Sequence, residues 1–168
     1  MLEIGSGTGQ HAVFFANHLP YLKWQATELA ENLPSLTFRL EMEGPKNVLL
    51  AGELDVEQSQ WDFNEVNALF TANVFHITPL GVMESCVQGA AKVLAPLGEF
   101  CVYGPFRYGG EFTSPSNAEF DAFLKRSNPE WGIRDFQHLN QLAEEHGMKI
   151  QADHPMPANN QLLVWQKS

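Results

Sequence analysis

Hydrophobic and polar positions along the chain alternate between two periods, one typical of helices and one typical of strands. Residues 10–19 place Ala12, Ala16 and Leu19 on one helical face. Residues 21–27 (YLKWQAT) instead alternate residue by residue, as a half-buried strand does. Repeated along the chain, this succession predicts an α/β sheet with helices on both faces.

The same patterns, divided by Gly and Pro, predict seven strands and five helices. The predicted strands are residues 1–4, 21–27, 48–51, 66–73, 99–103, 148–153 and 161–166. The predicted helices are residues 10–19, 31–43, 79–94, 116–127 and 135–146. Thr78 and Asp135 are predicted N-caps, and Gly147 follows the last helix. A turn is predicted at 95–98 and a glycine-bearing loop at 107–114.

Composition and charge narrow the classes of function. The chain has 168 residues, of which 44% are hydrophobic and 18% charged, so it is long enough for one folded domain over residues 1–168. Ten basic residues against 20 acidic ones give a formal net charge of −10. This charge disfavours binding to the phosphates of nucleic acids and fits a small-molecule substrate better.

Neither the cysteines nor the apolar stretches indicate a secreted or membrane protein. Cys86 and Cys101 lack CxxC spacing, and we interpret them as reduced core residues of a cytoplasmic protein. No apolar run approaches the roughly 20 residues that span a bilayer, and no signal peptide is visible. The histidines show no metal-ligand spacing, so we expect no metal.

The most informative motif is the stretch LEIGSGTGQH at residues 2–11. Its three glycines lie between a predicted strand and a predicted helix, where glycine permits positive φ and the helix N-terminus attracts anionic groups. The spacing GxGxG differs from the GxGxxG of dinucleotide sites. Glu3 would repel a pyrophosphate, but it suits a ligand with an ammonium group. An ordinary tight turn is the alternative interpretation.

With the motif ExGxGxG, the chain resembles class I methyltransferases that use S-adenosylmethionine (SAM). The resemblance implies a Rossmann-like fold, with a mostly parallel seven-stranded sheet, a reversed final strand and SAM as the cofactor. It also implies which residues form the cofactor cradle after the first strand. These residues are Glu3, Gly5, Gly7 and Gly9.

Three further residues are candidate cofactor contacts. Glu28, at the end of the second predicted strand, falls where the family places an acid on the ribose hydroxyls. Asp55, in GELDV, falls where the family binds the adenine amino group. His11 follows the glycine loop and either reaches the cofactor or faces solvent.

The resemblance becomes narrower further along the chain. The chain is similar over essentially all its length to one uncharacterised methyltransferase-like family, a domain of unknown function found in bacteria and animals. The segments that carry this similarity are NVFHITP, YGPF, SPSNAEFDAFL, WGIRD and MPANN. Members of that family carry a further stretch before the first strand, so the resemblance also implies that an N-terminal segment is missing.

The methyl acceptor is expected beside the glycine loop, at the carboxyl ends of the strands. Asn73 and His76 lie there, after the fourth predicted strand. His76 could act as a general base and Asn73 could orient the acceptor, or both could serve only local hydrogen bonds. The residues NVFH differ from the NPPY signature of amide-nitrogen methyltransferases, which disfavours that chemistry. Asn159 and Asn160 either project toward this site or only form a turn.

These observations favour a SAM-dependent methyltransferase with an unidentified small-molecule acceptor. The alternative is a non-catalytic module that binds SAM or a related nucleoside on the same fold. A nicotinamide oxidoreductase is disfavoured by Gln10, which stands where the dinucleotide motif GxGxxG requires its third glycine, and by Glu3.

Overall fold

A central sheet of seven strands organises the chain, and the computed structural model describes all residues 1–168. The strands of this sheet are β1 (Leu2–Ile4), β2 (Gln25–Glu28), β3 (Gly52–Glu53), β4 (Val66–Ala72), β5 (Leu94–Gly104), β9 (Met148–Met156) and β10 (Asn160–Lys167). A second, small sheet contains β6 (Phe106–Tyr108), β7 (Glu111–Phe112) and β8 (Arg134–Asp135). The helices are α1 (Gln10–His18), α2 (Leu33–Glu43), α3 (Leu80–Val93), α4 (Pro115–Ser127) and α5 (Phe136–Glu145).

The central sheet is mostly parallel, and its final strand is reversed. The strand order is β3-β2-β1-β4-β5-β10-β9. The pairs among β1 to β5 are parallel, whereas β10 is antiparallel to both β5 and β9. This arrangement confirms the predicted fold class. Since the chain proceeds outward from β1 to β3 and then returns to place β4 on the other side of β1, a crevice is expected at the carboxyl ends of β1 and β4.

Each face of the sheet has its own hydrophobic core. The larger core packs α3 and α5 against strand residues that include Leu69, Phe100 and Trp165. The smaller core packs α1 and α2 against Trp24 and Phe70. Helices therefore cover both faces, as the hydrophobic pattern predicts. None of the helices combines the length and the hydrophobicity that crossing a membrane requires.

The predicted position of the third strand is wrong. Residues 48–51 precede β3, and within them Val48 forms only an isolated bridge to the residue before β2. Leu50 is 84% exposed. The side chain of Asn47 donates hydrogen bonds to three backbone carbonyls of residues 16–22, which holds the start of this segment at the end of α1. The backbone of the segment pairs with the sheet only through bonds to Trp24.

The predicted turn at 95–98 is also wrong, because β5 continues through it. Leu97 has a φ of 63°, and the pairing of β4 with β5 shifts register between Val66 and Ala68. Proline and glycine here mark a bulge-like irregularity inside a strand, and the chain does not reverse.

The predicted loop at 107–114 contains a hairpin formed by β6 and β7. Gly109 and Gly110 form its turn with φ values of 59° and 87°. The amide of Gly109 donates to Gln137 Oε1 at 2.5 Å, and that of Gly110 donates to Asp135 Oδ2 at 2.7 Å. These bonds attach the hairpin to the beginning of α5.

Helix ends agree with the predictions in part. Asp135 caps α5, because its Oδ1 accepts from the Gln137 amide at 2.9 Å, and Gly147 follows that helix with a φ of 77°. Thr78 is not the cap of α3, contrary to the prediction. Pro79 occupies the N-cap position, and the Thr78 hydroxyl donates to the Val74 carbonyl across a short 3₁₀ turn.

Gly89 in α3 leaves room for the ring of Trp61. A Cβ added to Gly89 would lie 2.1 Å from Trp61 Cζ2. We expect Gly89→Ala to lower the free energy of unfolding by about 1–3 kcal/mol, the usual cost of overpacking a core. Gly81→Ala is the control, because no atom lies within 4 Å of its added Cβ in the same helix. That variant should be neutral or stabilised. Equal stability of the two variants in chemical denaturation would contradict this packing.

Candidate functional site

A cavity of about 700 Å³ opens at the carboxyl ends of β1, β2 and β4. It lies at the switch point of the strand order, where doubly wound sheets bind ligands. Six of the predicted site residues line this first cavity. They are Gly5, Gly7, His11, Glu28, Asp55 and Asn73. The structure therefore brings together residues that are far apart in the sequence.

The three glycines of the loop have different local roles. All three have positive φ, between 57° and 81°. A Cβ at Gly5 would lie 2.6 Å from Val74 Cγ2, and a Cβ at Gly9 would lie 2.9 Å from Leu36 Cδ1. A Cβ at Gly7 would meet no protein atom within 4 Å. Gly5 and Gly9 are thus required by packing, whereas the space above Gly7 belongs to the cavity. Gly9 itself is the N-cap residue of α1 and does not line the cavity.

Glu28 joins the end of β2 to the glycine loop. Its Oε2 accepts a hydrogen bond from the Gly7 amide at 2.9 Å. Its Oε1 accepts from the Leu29 amide at 3.2 Å and from Asn32 Nδ2 at 3.0 Å. Because a carboxylate offers about four acceptor positions, this buried group has capacity left for a ligand donor.

Ser6 provides a second link between the same two segments. Its amide donates to the Thr27 carbonyl at 2.9 Å, and its hydroxyl accepts from the Thr27 amide at 3.1 Å. The loop is therefore fixed against β2 before any ligand binds.

Asp55 follows β3 and presents one free carboxylate oxygen. Its Oδ1 accepts from the Glu57 amide at 3.0 Å, while no protein group donates to Oδ2. Since Asp55 lines the cavity, Oδ2 is available to a ligand donor.

Glu3 lies beneath the loop and does not line the cavity. It is almost fully buried, and its Oε2 accepts from Trp24 Nε1 at 2.7 Å. Burial raises the pKa of this carboxyl group. His11 lines the cavity, and its Nδ1 lies 3.9 Å from Glu3 Oε1. Of these two neighbouring residues, His11 and not Glu3 forms part of the cavity wall.

A second cavity of about 440 Å³ shares one wall residue with the first. That residue is Asn73, which follows β4 in the left-handed conformation with a φ of 60°. His76 lines only the second cavity, where its ring packs edge-on against Phe120 with centroids 5.4 Å apart. The two predicted catalytic residues thus meet at the second cavity and not at the first.

His76 is uncharged at neutral pH. It is only 8% exposed, and burial, followed by the nearby charge of Arg134, lowers its pKa from 6.5 to about 4. Arg134 is held in place because its guanidinium donates to the Phe75, Thr78 and Glu130 carbonyls. A neutral imidazole has one donor and one acceptor nitrogen for a neighbouring molecule.

Several wall residues are not among those predicted. Asn32 and Leu29 line the first cavity next to Glu28. Asn117 and Phe120 line the second cavity from α4. Asn32 lies four residues after Glu28, in the turn that leads into α2, whereas α4 reaches the second cavity only through the tertiary fold.

Cys86 is buried and Cys101 is half-buried, and neither forms a disulfide. Burial raises the pKa of both thiols, to about 12 and about 11 respectively. No group of three or more His, Cys, Asp or Glu side chains is arranged to hold a metal ion.

A family model described as protein of unknown function (DUF938) matches residues 1–167. Solved structures show the same fold at low sequence identity. An O-methyltransferase family protein from Burkholderia thailandensis superposes with a TM-score of 0.86 at 12% identity, over 99% of this chain and 50% of its own. Human N-acetylserotonin methyltransferase in complex with SAM superposes with a TM-score of 0.84 at 15% identity, over 100% of this chain and 47% of its own.

The fold also occurs in a protein with different chemistry. A structure described as a pericyclic reaction enzyme superposes with a TM-score of 0.80 at 13% identity, over 99% of this chain and 42% of its own. The chain spans about half the length of the structures it matches. These likenesses establish the Rossmann-like methyltransferase fold, and the activity has to be argued from the site.

The low pKa of His76 makes stability depend on pH. Between pH 6.5 and about 4 the unfolded chain binds more protons at this residue than the folded one, so stability falls as the pH drops. We expect the wild type to lose roughly 2 kcal/mol more than His76→Gln between pH 7 and pH 5. Urea denaturation at both pH values measures the difference. Parallel losses in the two proteins would show that the His76 ring is not held neutral by burial.

Proposed function

The chain belongs to the family of proteins of unknown function DUF938, and we propose that it is a SAM-dependent methyltransferase acting on a small molecule, folded as one domain over residues 1–168. The observation that carries the proposal is the contact between Glu28 and the Gly7 amide at the mouth of the first cavity. Through this contact, a carboxylate that can accept further hydrogen bonds lies beside Gly7, whose side-chain direction is free of protein atoms.

The residues of the first cavity fit SAM. The ribose hydroxyls require acceptors, which Glu28 offers, and the adenine amino group requires an acceptor such as the free Oδ2 of Asp55. The open space at Gly7 admits a ligand close to the backbone. His11 lines the cavity beside the loop and is the residue that would meet the amino acid end of the cofactor.

When bound, SAM supplies a methyl group on a sulfonium, whose sulfur keeps the electron pair of the broken carbon–sulfur bond. The protein's own contribution is to position the acceptor, because orientation supplies much of the acceleration in such transfers. Asn73 lines both cavities, which supports a role in orienting a molecule between them. His76 is neutral and is a weak base at pH 7. It is therefore better suited to accept a hydrogen bond from the methyl acceptor than to remove a proton from it.

A second candidate function is a binding module without turnover. The low pKa of His76 favours it, since no other group with a pKa near neutrality lines the second cavity. Incubation with SAM and a metabolite mixture separates the two functions. Release of S-adenosylhomocysteine above the blank supports the enzyme, whereas binding of SAM without release supports the module.

Gly7→Val should abolish SAM binding, because the added side chain would extend into space that is free of protein atoms and belongs to the cavity. The control is Gly109→Val, which introduces the same residue at a similar φ of 59° in the hairpin turn, away from the first cavity. Isothermal titration should show wild-type affinity for that variant. If both variants bound SAM equally, the glycine loop would not be the cofactor cradle.

Glu28→Gln should weaken SAM binding by about 1–3 kcal/mol, roughly 5- to 150-fold in Kd, because a charge-assisted hydrogen bond to the ribose is lost. Glu53→Gln is the matched control, since Glu53 ends the neighbouring strand β3 as an exposed carboxylate outside the cavity. Indistinguishable Kd values for the two variants would assign Glu28 to loop structure alone.

A further inference from the structure

The second cavity carries an arrangement of acceptors that the cofactor site does not use. It adjoins the first cavity at Asn73, and it lies between β4, the end of β5, α4 and the turn before β10. No Asp, Glu, Lys or Arg side chain lines it. Its wall therefore offers hydrogen bonds without a charge that would pair with an ion.

Asn117 is the best-defined of these acceptors. It is only 5% exposed, and its Nδ2 donates to Thr113 Oγ1 at 2.9 Å and to the Asn159 carbonyl at 3.0 Å. These two bonds fix which way the amide points. No protein group donates to Oδ1, and this oxygen is not sealed from solvent, in a residue that lines the second cavity.

Asn160, at the beginning of β10, has an amide side chain oriented in the same way, through hydrogen bonds donated by its Nδ2. Its Nδ2 donates to the Tyr103 hydroxyl at 3.1 Å and to the Pro157 carbonyl at 3.2 Å. Its Oδ1 has no protein donor. Two amide oxygens with fixed orientation thus contribute to one cavity wall.

His76 adds a third unpaired group. Neither nitrogen of its ring has a hydrogen-bond partner in the protein, and neither is sealed from solvent. As burial keeps the imidazole neutral at pH 7, it does not attract an anion. Phe120, whose ring packs against it, provides an apolar surface beside these polar groups.

The backbone of this wall is held in an uncommon conformation. Asn73 and Ala158, both in the wall, have φ values of 60° and 59°. Left-handed backbone is unfavourable for a residue such as alanine, and it persists where surrounding contacts enforce it, often at ligand sites. The bond from Asn117 to the neighbouring Asn159 carbonyl is one such contact.

We propose that the second cavity binds the methyl acceptor, and that this acceptor is an uncharged molecule presenting O–H or N–H donors to Asn117, Asn160 and His76. The assignment as an acceptor site rests on the proposed methyltransferase function. The chemical selectivity of the cavity does not, because it follows from the protein groups alone. Carboxylates, phosphates and ammonium compounds are disfavoured, since no Asp, Glu, Lys or Arg side chain lines the wall. The nearby Arg134 guanidinium already donates to three backbone carbonyls.

Four probes of similar size test this selectivity on the full chain. They are phenol, anisole, benzoate and benzylammonium, which differ in the donor and in the charge. Binding is measured at pH 7 by NMR titration of the Asn side-chain amides and the His76 ring. We expect phenol to bind at least roughly tenfold more tightly than the other three, because only phenol is a neutral donor for otherwise unpaired acceptors. Shifts should concentrate on Asn117, Asn160 and His76.

Asn117→Leu removes the Oδ1 acceptor together with the two Nδ2 hydrogen bonds that orient it, and Asn17→Leu, on the exposed face of α1, is the control. Phenol binding should fall roughly tenfold in the first variant and stay unchanged in the second. SAM affinity, which should be unchanged in both, reports whether each variant is folded. Should Asn117→Leu fail to fold, the ranking of the four probes on the wild type decides.

The outcomes separate this inference from the proposed function. If SAM binds but phenol ranks no higher than anisole or benzoate, or its shifts map elsewhere, the acceptor site is refuted and the cofactor site stands. If phenol is selected in the second cavity but SAM does not bind, the selectivity stands and the methyltransferase function is refuted. Selection of phenol together with SAM binding supports both.

Discussion

The hydrogen bond from the Gly7 amide to the Glu28 carboxylate is the contact on which the site depends. It holds the loop after β1 against the end of β2, and the paired bonds between Ser6 and Thr27 keep the two segments in register. Because Gly7 has positive φ and an unfilled side-chain direction, the loop curves around open space instead of filling it. The glycine loop, the Glu28 carboxylate and the cavity wall are therefore joined by hydrogen bonds into one structural unit.

Parallel pairing of β1 with both β2 and β4 extends this unit toward the acceptor side. β4 ends next to the loop, and Asn73 follows it in a left-handed conformation that turns the chain toward His76. The two cavities consequently share a wall residue. The two cavities adjoin at Asn73. Such adjacency is needed by the proposed transfer, in which the reacting groups must approach each other closely.

The glycine motif and the strand-end acids were predictable, because their spacing reflects local backbone demands and the carboxyl ends of parallel strands converge. The position of Glu3 was not, since only the tertiary fold shows that Trp24 and His11 surround its carboxylate. Strand β3 was misplaced because the exposed pair Leu49–Leu50 imitates a buried strand. The position of Asn117 in a cavity wall was not predictable from the sequence, because its amide is oriented by residues as distant in sequence as Asn159.

A crystal structure of the full chain with S-adenosylhomocysteine would test the central claim most directly. We expect the nucleoside in the first cavity, with its ribose hydroxyls bonded to Glu28 and its adenine amino group facing Asp55. The Gly7–Glu28 hydrogen bond should remain intact. Density for the nucleoside elsewhere, or a glycine loop that closes over the cavity and leaves Glu28 without a ligand contact, would contradict the assignment.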